Sequence, residues 1–484
     1  MDDLEPFSEQ IERIKVKLPQ ARAADPACLV FGSKQHRYEL GPPVAADTVT
    51  AFDARIGITL PAAYTAFVTQ VGNGGARSGE AGAGPFYGLF ALGTDDGKLI
   101  ERFEHRLANP SPLRPGIEYE AWQETLRDLG NRTDEAAYLA NRDRLFGGLL
   151  PLGHQGCGIY YELVLTGPHA GRIVNIDPDD QPPVFAHEAN FLDYYERWLD
   201  EVIAGELQRN GPPFGYTLPG DDKALMAQFD RASDRQAQFQ ALHALSARGA
   251  FAPSTTTRLV ELARGEDKEI AYRALDLLID VAPAGAYEVL EPDLTGSPEQ
   301  FCAAVKRIYE AGRLYNGTWG GDTRIRQVVI RRLGVIDDPL SFLCASSIVA
   351  SGPAEDVAAL EPYCDHTDPG IQTYAWAALS RWCANHPGGQ GRFEARLLAG
   401  LGSDNASEIS HALQGVSGLR GAAIEAGLLG VLESYAGVKR DGWSEGRIHD
   451  PLDARIAELG YSGRRAFARA HKSNAYRFWE FWKR

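Results

Sequence analysis

At 484 residues the chain is long enough for two or more domains with real cores. Its formal net charge of -16 disfavours nucleic acid, whose phosphates it would repel, and favours a basic protein partner met by electrostatic steering; acidity for solubility alone is the other reading. The acidic opening, MDDLEPFSEQ, lacks the basic and apolar regions of a secretory signal, and the longest apolar runs, such as Phe342 to Ala350, fall short of the roughly 20 residues of a membrane-spanning helix, so cytoplasmic residence without a membrane partner is expected.

Ile11 and Ile14 mark one face of a short helix over residues 8 to 18, with Ser8 as its cap. Asp47 to Arg55 reads as a second helix, and Pro61 sits at the first-turn position of a third, Ala62 to Val71, which stops at Gly72. The glycine-rich stretch Gly72 to Gly84 is a loop, Phe86 to Leu92 a strand and Asp96-Gly97 a turn. An insert from about Leu99 to Gly148 holds a proline-rich passage, Pro110 to Pro115, and helical pieces around Trp122 and Tyr138; its composition assigns it no role. Two β-rich runs, Gly158 to Leu165 and Arg172 to Ile176, joined by Gly167, Pro168 and Gly171, predict a hairpin. A helix from about Asn190 follows, with Phe191, Tyr194, Tyr195, Trp198 and Leu199 recurring at the spacing of a core-facing stripe.

Leu207 to Asp222, LQRNGPPFGYTLPGDD, packs three prolines and three glycines between two helical patterns and reads as a domain boundary: residues 1–206, a linker at 207–221, and residues 222–484. The acidity follows this division. Met1 to Gly215 holds 31 Asp and Glu against 19 Lys and Arg, a net of -12; the remainder holds 34 against 30, a net of -4. Beyond the boundary, helix-period segments begin at Arg235, Lys268, Pro298, Pro339, Gly370 and Asn405, with 33, 30, 41, 31 and 35 residues between starts, room for a partner helix in each interval. Small residues inside them, as in Tyr374-Ala375-Trp376-Ala377-Ala378-Leu379, permit close approach. The pattern resembles degenerate HEAT-type repeats, which implies an α-solenoid; a compact, non-repeating helical domain is the alternative. The tail Tyr476 to Arg484 carries Phe478, Trp479, Phe481 and Trp482 among basic residues. It reads as a cap on the last repeat, as an interaction anchor, or as a stacking platform for single-stranded nucleic acid.

Fragments that imitate chemical motifs fail on detail. His187-Glu188 begins a zinc-protease HExxH, but Phe191 stands where the second ligand belongs. Gly82, Gly84 and Gly88 have the wrong spacing for a phosphate loop, and Pro85 removes a backbone N–H from it, leaving a flexible loop. Cys364, Asp365 and His366 are adjacent and cannot chelate one ion together. The six cysteines, Cys28, Cys157, Cys302, Cys344, Cys364 and Cys383, form no CxxC pair and read as reduced core thiols. Asp177, Asp179 and Asp180 lack the ligand spacing of a calcium loop; they end a strand in a turn, or present three carboxylates to a basic partner. No cofactor or metal is implied, and no nucleophile stands out, so the reading is of a binding protein and not an enzyme.

Three blocks in order carry a resemblance. They are Ile56-Gly57-Ile58-Thr59-Leu60-Pro61 with Tyr64, Phe67 and Gly72-Asn73-Gly74-Gly75; Leu150-Pro151-Leu152-Gly153 with Gly158-Ile159-Tyr160-Tyr161 and Gly171-Arg172-Ile173-Val174; and Asn190 through Leu199. Over about residues 45–205 the chain resembles the SUKH superfamily, which contains bacterial immunity proteins and fungal cell-wall assembly regulators. The insert at 99–148 departs from that pattern. The resemblance implies an α+β N-terminal domain, a curved and mainly antiparallel sheet with helices, ahead of the all-α helical-repeat domain. It implies an immunity protein that neutralises a cognate toxin by direct complex formation, with a regulatory adaptor docking through its repeats, or an enzyme with a dispersed site, as the alternatives.

Overall fold

The computed structural model describes residues 6–75, 81–92, 103–130, 134–177, 180–209, 211–312, 321–435 and 443–471. They are mostly helical, with one four-stranded antiparallel sheet, and fall into two compact units, Met1–Thr255 and Thr256–Arg484. Asp179 and the aromatic tail from Tyr476 lie outside the described residues.

The first unit opens with α1 (Ser8–Ala24), α2 (Ser33–His36), α3 (Ala46–Ile56) and α4 (Ala62–Gln70). The insert supplies α5 (Glu104–Leu107), α6 (Tyr119–Arg127) and α7 (Glu135–Leu145). Strands β1 (Leu149–Gly156), β2 (Ile159–Val164), β3 (Ile173–Ile176) and β4 (Val184–Phe185) then form a simple meander. The expected hairpin is β2 with β3, pairing Glu162 with Val174 and Leu163 with Ile173. The run Phe86 to Leu92 is not a regular strand. Phe86 sits at φ +55°, which breaks the extended backbone, and the chain merely leans on β1 through Phe90 N to Leu152 O at 2.7 Å. Nor is Gly82 to Gly88 loose: Gly82 and Leu89 exchange both backbone hydrogen bonds at 2.8 Å, and a Cβ on Gly88 would meet Gly82 O at 2.2 Å.

Side chains alternate across a strand, and here both faces of the sheet are covered. Tyr161, Leu163 and Leu165 join one core with α1, α4 and α8 (Phe191–Ile203). Asn190 caps α8, its Oδ1 accepting from Leu192 N at 2.9 Å and Asp193 N at 3.1 Å. Phe191 then lies 5.1 Å from the Tyr64 ring and 5.0 Å from Phe67, and Tyr195 lies 4.6 Å from Phe67. Residues from all three blocks quoted above therefore meet in one core. The opposite face, Leu149, Val164, Val174, Ile176 and Phe185, is covered by Leu113, Trp122 and Phe146 of the insert. That is the insert's structural role: without it the sheet would expose an apolar face.

An ionic seam fixes α1 on α8. Glu196 accepts from Arg13 at 2.8 Å, Lys17 at 2.8 Å and Gln10 at 3.0 Å. Burial pushes its carboxyl up, but these donors outweigh it and hold the group at about 2. Past α8 the proline- and glycine-rich segment is tied down. Phe214 is buried 4.9 Å from the Tyr194 ring, and Arg197 donates to Thr217 O at 2.9 Å. The border between the compact units falls at Thr255/Thr256, beyond residues 207–221, so α9 (Asp222–Arg231) and α10 (Arg235–Leu245) belong with the first unit. After α11 (Pro253–Ala263), which crosses that border, come the helices of the second unit.

These are α12 (Lys268–Val281), α13 (Pro283–Thr295), α14 (Pro298–Ala311), α15 (Thr323–Arg332), α16 (Pro339–Val349), α17 (Ala354–Val357), α18 (Pro369–Asn385), α19 (Glu394–Leu401), α20 (Ala406–Gly415), α21 (Ala422–Ser434), α22 (Trp443–Glu458) and α23 (Arg464–Ala470). One layer runs α12, α14, α16, α18, α20 and α22, each packed on the next, and α13, α15 and α17 line a second layer. The physical origin of the regularity is the caps. Asp234, Asp267, Ser297, Asp338, Asp368 and Asn405 each accept a backbone N–H from the first turn of the helix they precede. Three of those helices add a first-turn proline: Pro298, Pro339 and Pro369. Close approach follows from small residues: a Cβ on Gly400 would lie 2.6 Å from the Trp376 ring. Asp338→Ala, which deletes the cap of α16, is expected to cost about 1 kcal/mol, read as a lower urea midpoint for the second unit.

Candidate protein-docking surface

The acidic turn chosen from sequence is partly committed to internal contacts. Asp180 N donates to Asp177 Oδ1 at 3.1 Å, closing the turn after β3. Asp180 Oδ1 accepts from Tyr119 at 3.3 Å, and its carbonyl accepts from Gln123 at 2.7 Å. Asp180 thus tethers α6 to the sheet, and Asp177 is half-buried beside it. Asp180 remains exposed, and further exposed acids lie nearby on α6 and at its C-cap, where Glu120, Glu124 and Asp128 recur every fourth residue.

A surface that sequence reading passed over lies on the loop between α1 and α3. Asp25 is buried, and its carboxylate accepts from Leu29 N at 2.7 Å, Val30 N at 3.1 Å, Ser33 Oγ at 3.1 Å and Tyr38 Oη at 2.8 Å. Burial pushes this carboxyl up, but the four donors outweigh it and hold it below the usual range. His36 Nδ1 accepts from Tyr38 N at 3.0 Å, and burial pulls the imidazole down to about 4, so it is neutral at physiological pH. Beneath the loop, Tyr38 stacks on Trp198 at 5.9 Å. Asp25, Ser33 and His36 have the residue types of a hydrolytic triad but not its order: Asp25 holds Ser33 directly, and Ser33 is fully buried. This is architecture.

What the architecture holds up is apolar and exposed. Leu29 is 66% and Phe31 58% exposed at the apex of the loop, with Lys34 and Arg37 exposed at its base. Phe31 meets Tyr87 edge-on at 5.2 Å; Tyr87 stacks on His154 at 4.8 Å, and His154 on Phe90 at 5.9 Å. Three residues bordering this ladder, Cys28, Phe86 and Cys157, sit at φ between +50° and +55°, and Arg37 and Tyr38 share that region. Each such residue costs about 1–3 kcal/mol, and strain of this kind gathers where a surface must keep one shape. The signal for the loop was present in Asp25-Pro26 and Gly32, turn residues on either side of the apolar run Cys28-Leu29-Val30-Phe31.

The remaining motif residues are structural. Glu188 pairs with Arg197 at 2.7 Å, Asp365 receives a bidentate pair of 2.7 Å bonds from Arg396, and His366 Nδ1 accepts from Asp368 N. Cys344, Cys364 and Cys383 are buried; Cys157, at the tip of the β1–β2 turn, is exposed. A shallow concavity of about 750 Å³ opens along α1, but its cations Arg13 and Lys17 are engaged with Glu196. Among the described residues no three His, Cys, Asp or Glu side chains are grouped to hold a metal ion, and no helix is long and apolar enough to cross a membrane.

No family profile and no curated protein matches the chain. Among solved structures, the crystal structure of an engineered protein is similar over 77% of this chain and 90% of that one, at 17% identity and a TM-score of 0.30, a likeness too low to define a fold.

Proposed function

We propose that the chain is an immunity protein: an α+β domain of the SUKH type followed by HEAT-like repeats, which neutralises a cognate basic toxin domain in the cytoplasm by direct complex formation. The observation that carries a protein-binding role is the anchored loop with Leu29 and Phe31 held out into solvent. Rigid, exposed apolar side chains beside aromatic rings are what interface anchors need, because little ordering remains to be done on binding. The meeting of the three SUKH-like blocks in one core supports the family reading, and the capped, two-layer helices support the repeat reading. The net charge of -12 over Met1 to Gly215 supports a basic partner, with Asp177, Asp179 and Asp180 and the α6 acids as steering charges and not as anchors.

The test is co-expression of the full chain with the toxic protein encoded beside its gene. Growth is restored and the purified pair forms a stoichiometric complex whose on-rate falls as salt rises. The double variant Leu29→Ser/Phe31→Ser keeps the wild-type melting temperature and loses about 100-fold in affinity, the effect of two anchors at about 1.4 kcal/mol each. A toxin that the chain does not bind overturns the immunity reading. Unchanged affinity in the double variant moves the interface away from this loop.

A further inference from the structure

We propose that the insert, over residues 104–130 and 134–148, is a pH-sensitive flap: deprotonation of Glu162 beneath it loosens its hold and bares the second apolar face of the sheet. The proposal is independent of any toxin.

Its basis is the joint between insert and sheet, which is apolar in the main yet badly satisfied where it is polar. Glu162 lies in β2 between Pro151 and Val174, with its side chain on the insert-covered face. It is 3% exposed, and Oε2 has no hydrogen-bond partner among the described residues. Facing it from α5 is Arg106, 6% exposed, whose Nε has none either. Trp122 Nε1 and Ser111 Oγ, both contributed by the insert, are also buried without a partner among the described residues. Each such atom forfeits about 1–3 kcal/mol that water would restore, so all four favour opening. The lid's own helices are short: α5 is a single turn that buries Arg106 and Leu107, and α7 contributes no buried side chain. An isolated helix as short as α7 is marginal in water. What keeps the flap shut is the second core, with Val164, Val174, Ile176 and Phe185 under Trp122 and Phe146, together with Leu107 in the first core, Thr166 bonded to Asn109 O at 2.8 Å and to Ser111 N at 2.9 Å, and the tether of α6 to Asp180.

The charges around Glu162 set the sign. Arg106 of α5 is its charged neighbour, and Asp143 and Arg142 of α7 act on Arg106. Pro151 and Val174 flank it in the sheet, and Leu113 and Trp122 bring no charge. Burial pushes the carboxyl up to about 7 against the partial offset of Arg106. An open flap would return it toward the ordinary 4.5. Between those values the closed form keeps a proton that the open form releases. Raising the pH through this window therefore favours opening, by up to about 300-fold, and above it the effect is constant.

Hydrogen exchange of the full chain, followed by mass spectrometry at pH 5 and pH 8 and corrected for the intrinsic chemical rate, reads this directly. Peptides spanning 104–148 are expected to lose about 70-fold in protection between the two pH values, while α8 peptides hold theirs. Glu162→Gln keeps the shape without the titration: its insert stays protected at pH 8, and the pH dependence vanishes. Glu162→Leu gives the same flat profile if the amide is poorly accommodated. His105 of the insert lies 2.8 Å from Asp143, so as a control His105→Asn must leave the wild-type dependence in place. Protection that is equal at both pH values in the wild type, a dependence that survives Glu162→Gln, or one that disappears in His105→Asn overturns the proposal.

Discussion

Arg197→Met is expected to destabilise the first unit by about 3–5 kcal/mol, because it strands buried carboxylates. Arg197 Nη1 reaches Glu188 and Nε reaches Glu201, both at 2.7 Å; Nη1 and Nη2 also donate to Thr217 O and Oγ1. Arg248 extends the network, to Glu201 at 3.4 Å and to Glu206. Two guanidinium groups thus serve three carboxylates. Burial pulls Arg197 down, but Glu201 and Glu188 outweigh it and raise its affinity for the proton. Without Arg197, Glu188 and Glu201 share a dry site with Arg248 alone. The urea midpoint reads the loss. Limited proteolysis reads its location, since releasing Thr217 should make 211–220 the first site cut. Glu188→Gln in the same background should recover part of the stability by removing one stranded charge. A loss under about 1 kcal/mol would show that the network contributes little beyond packing.

Trp198→Ala should cost a similar 3–5 kcal/mol for a different reason, the cavity left by a large aromatic. Trp198 is fully enclosed by Tyr38, His36 and Tyr195, with ring centroids at 5.9, 5.8 and 5.3 Å. It supports the base of the exposed loop, so the substitution should weaken partner binding as well as stability. Trp198→Phe, which refills most of the volume, should recover more than half of the loss. Wild-type stability in Trp198→Ala would mean that this face of α8 is not core.

Both substitutions concern α8, the element most legible in the sequence. Its stripe of Phe191, Tyr194, Tyr195, Trp198 and Leu199 keeps helical spacing, and Asn190 supplies the cap. The β2–β3 hairpin was legible for the same reason, a clean period and turn glycines. β1 was not: Pro151, Gly153 and Gly156 interrupt its pattern, and the ladder shifts register at those points. In the second unit the spacing alone located the helix starts, because each lies beside an Asp, Asn or Ser cap. The loop at residues 25–38 was hidden for a physical reason. It has no period, and its order comes from a buried carboxylate whose partners, up to 13 residues away, only folding brings together. The insert's function as a cover was equally invisible, since a strand buried on both faces has no alternation to show which face needs covering.

The recurring caps of the second unit have a consequence for how this chain can change over generations. A helix that carries its own start signal and touches only its neighbours can be duplicated, lost or replaced as a block, and the helices on either side close over the gap. Nothing comparable holds for the first unit, where one carboxylate, one tryptophan or one arginine serves several segments at once. Length variation should accumulate in the one and be refused by the other.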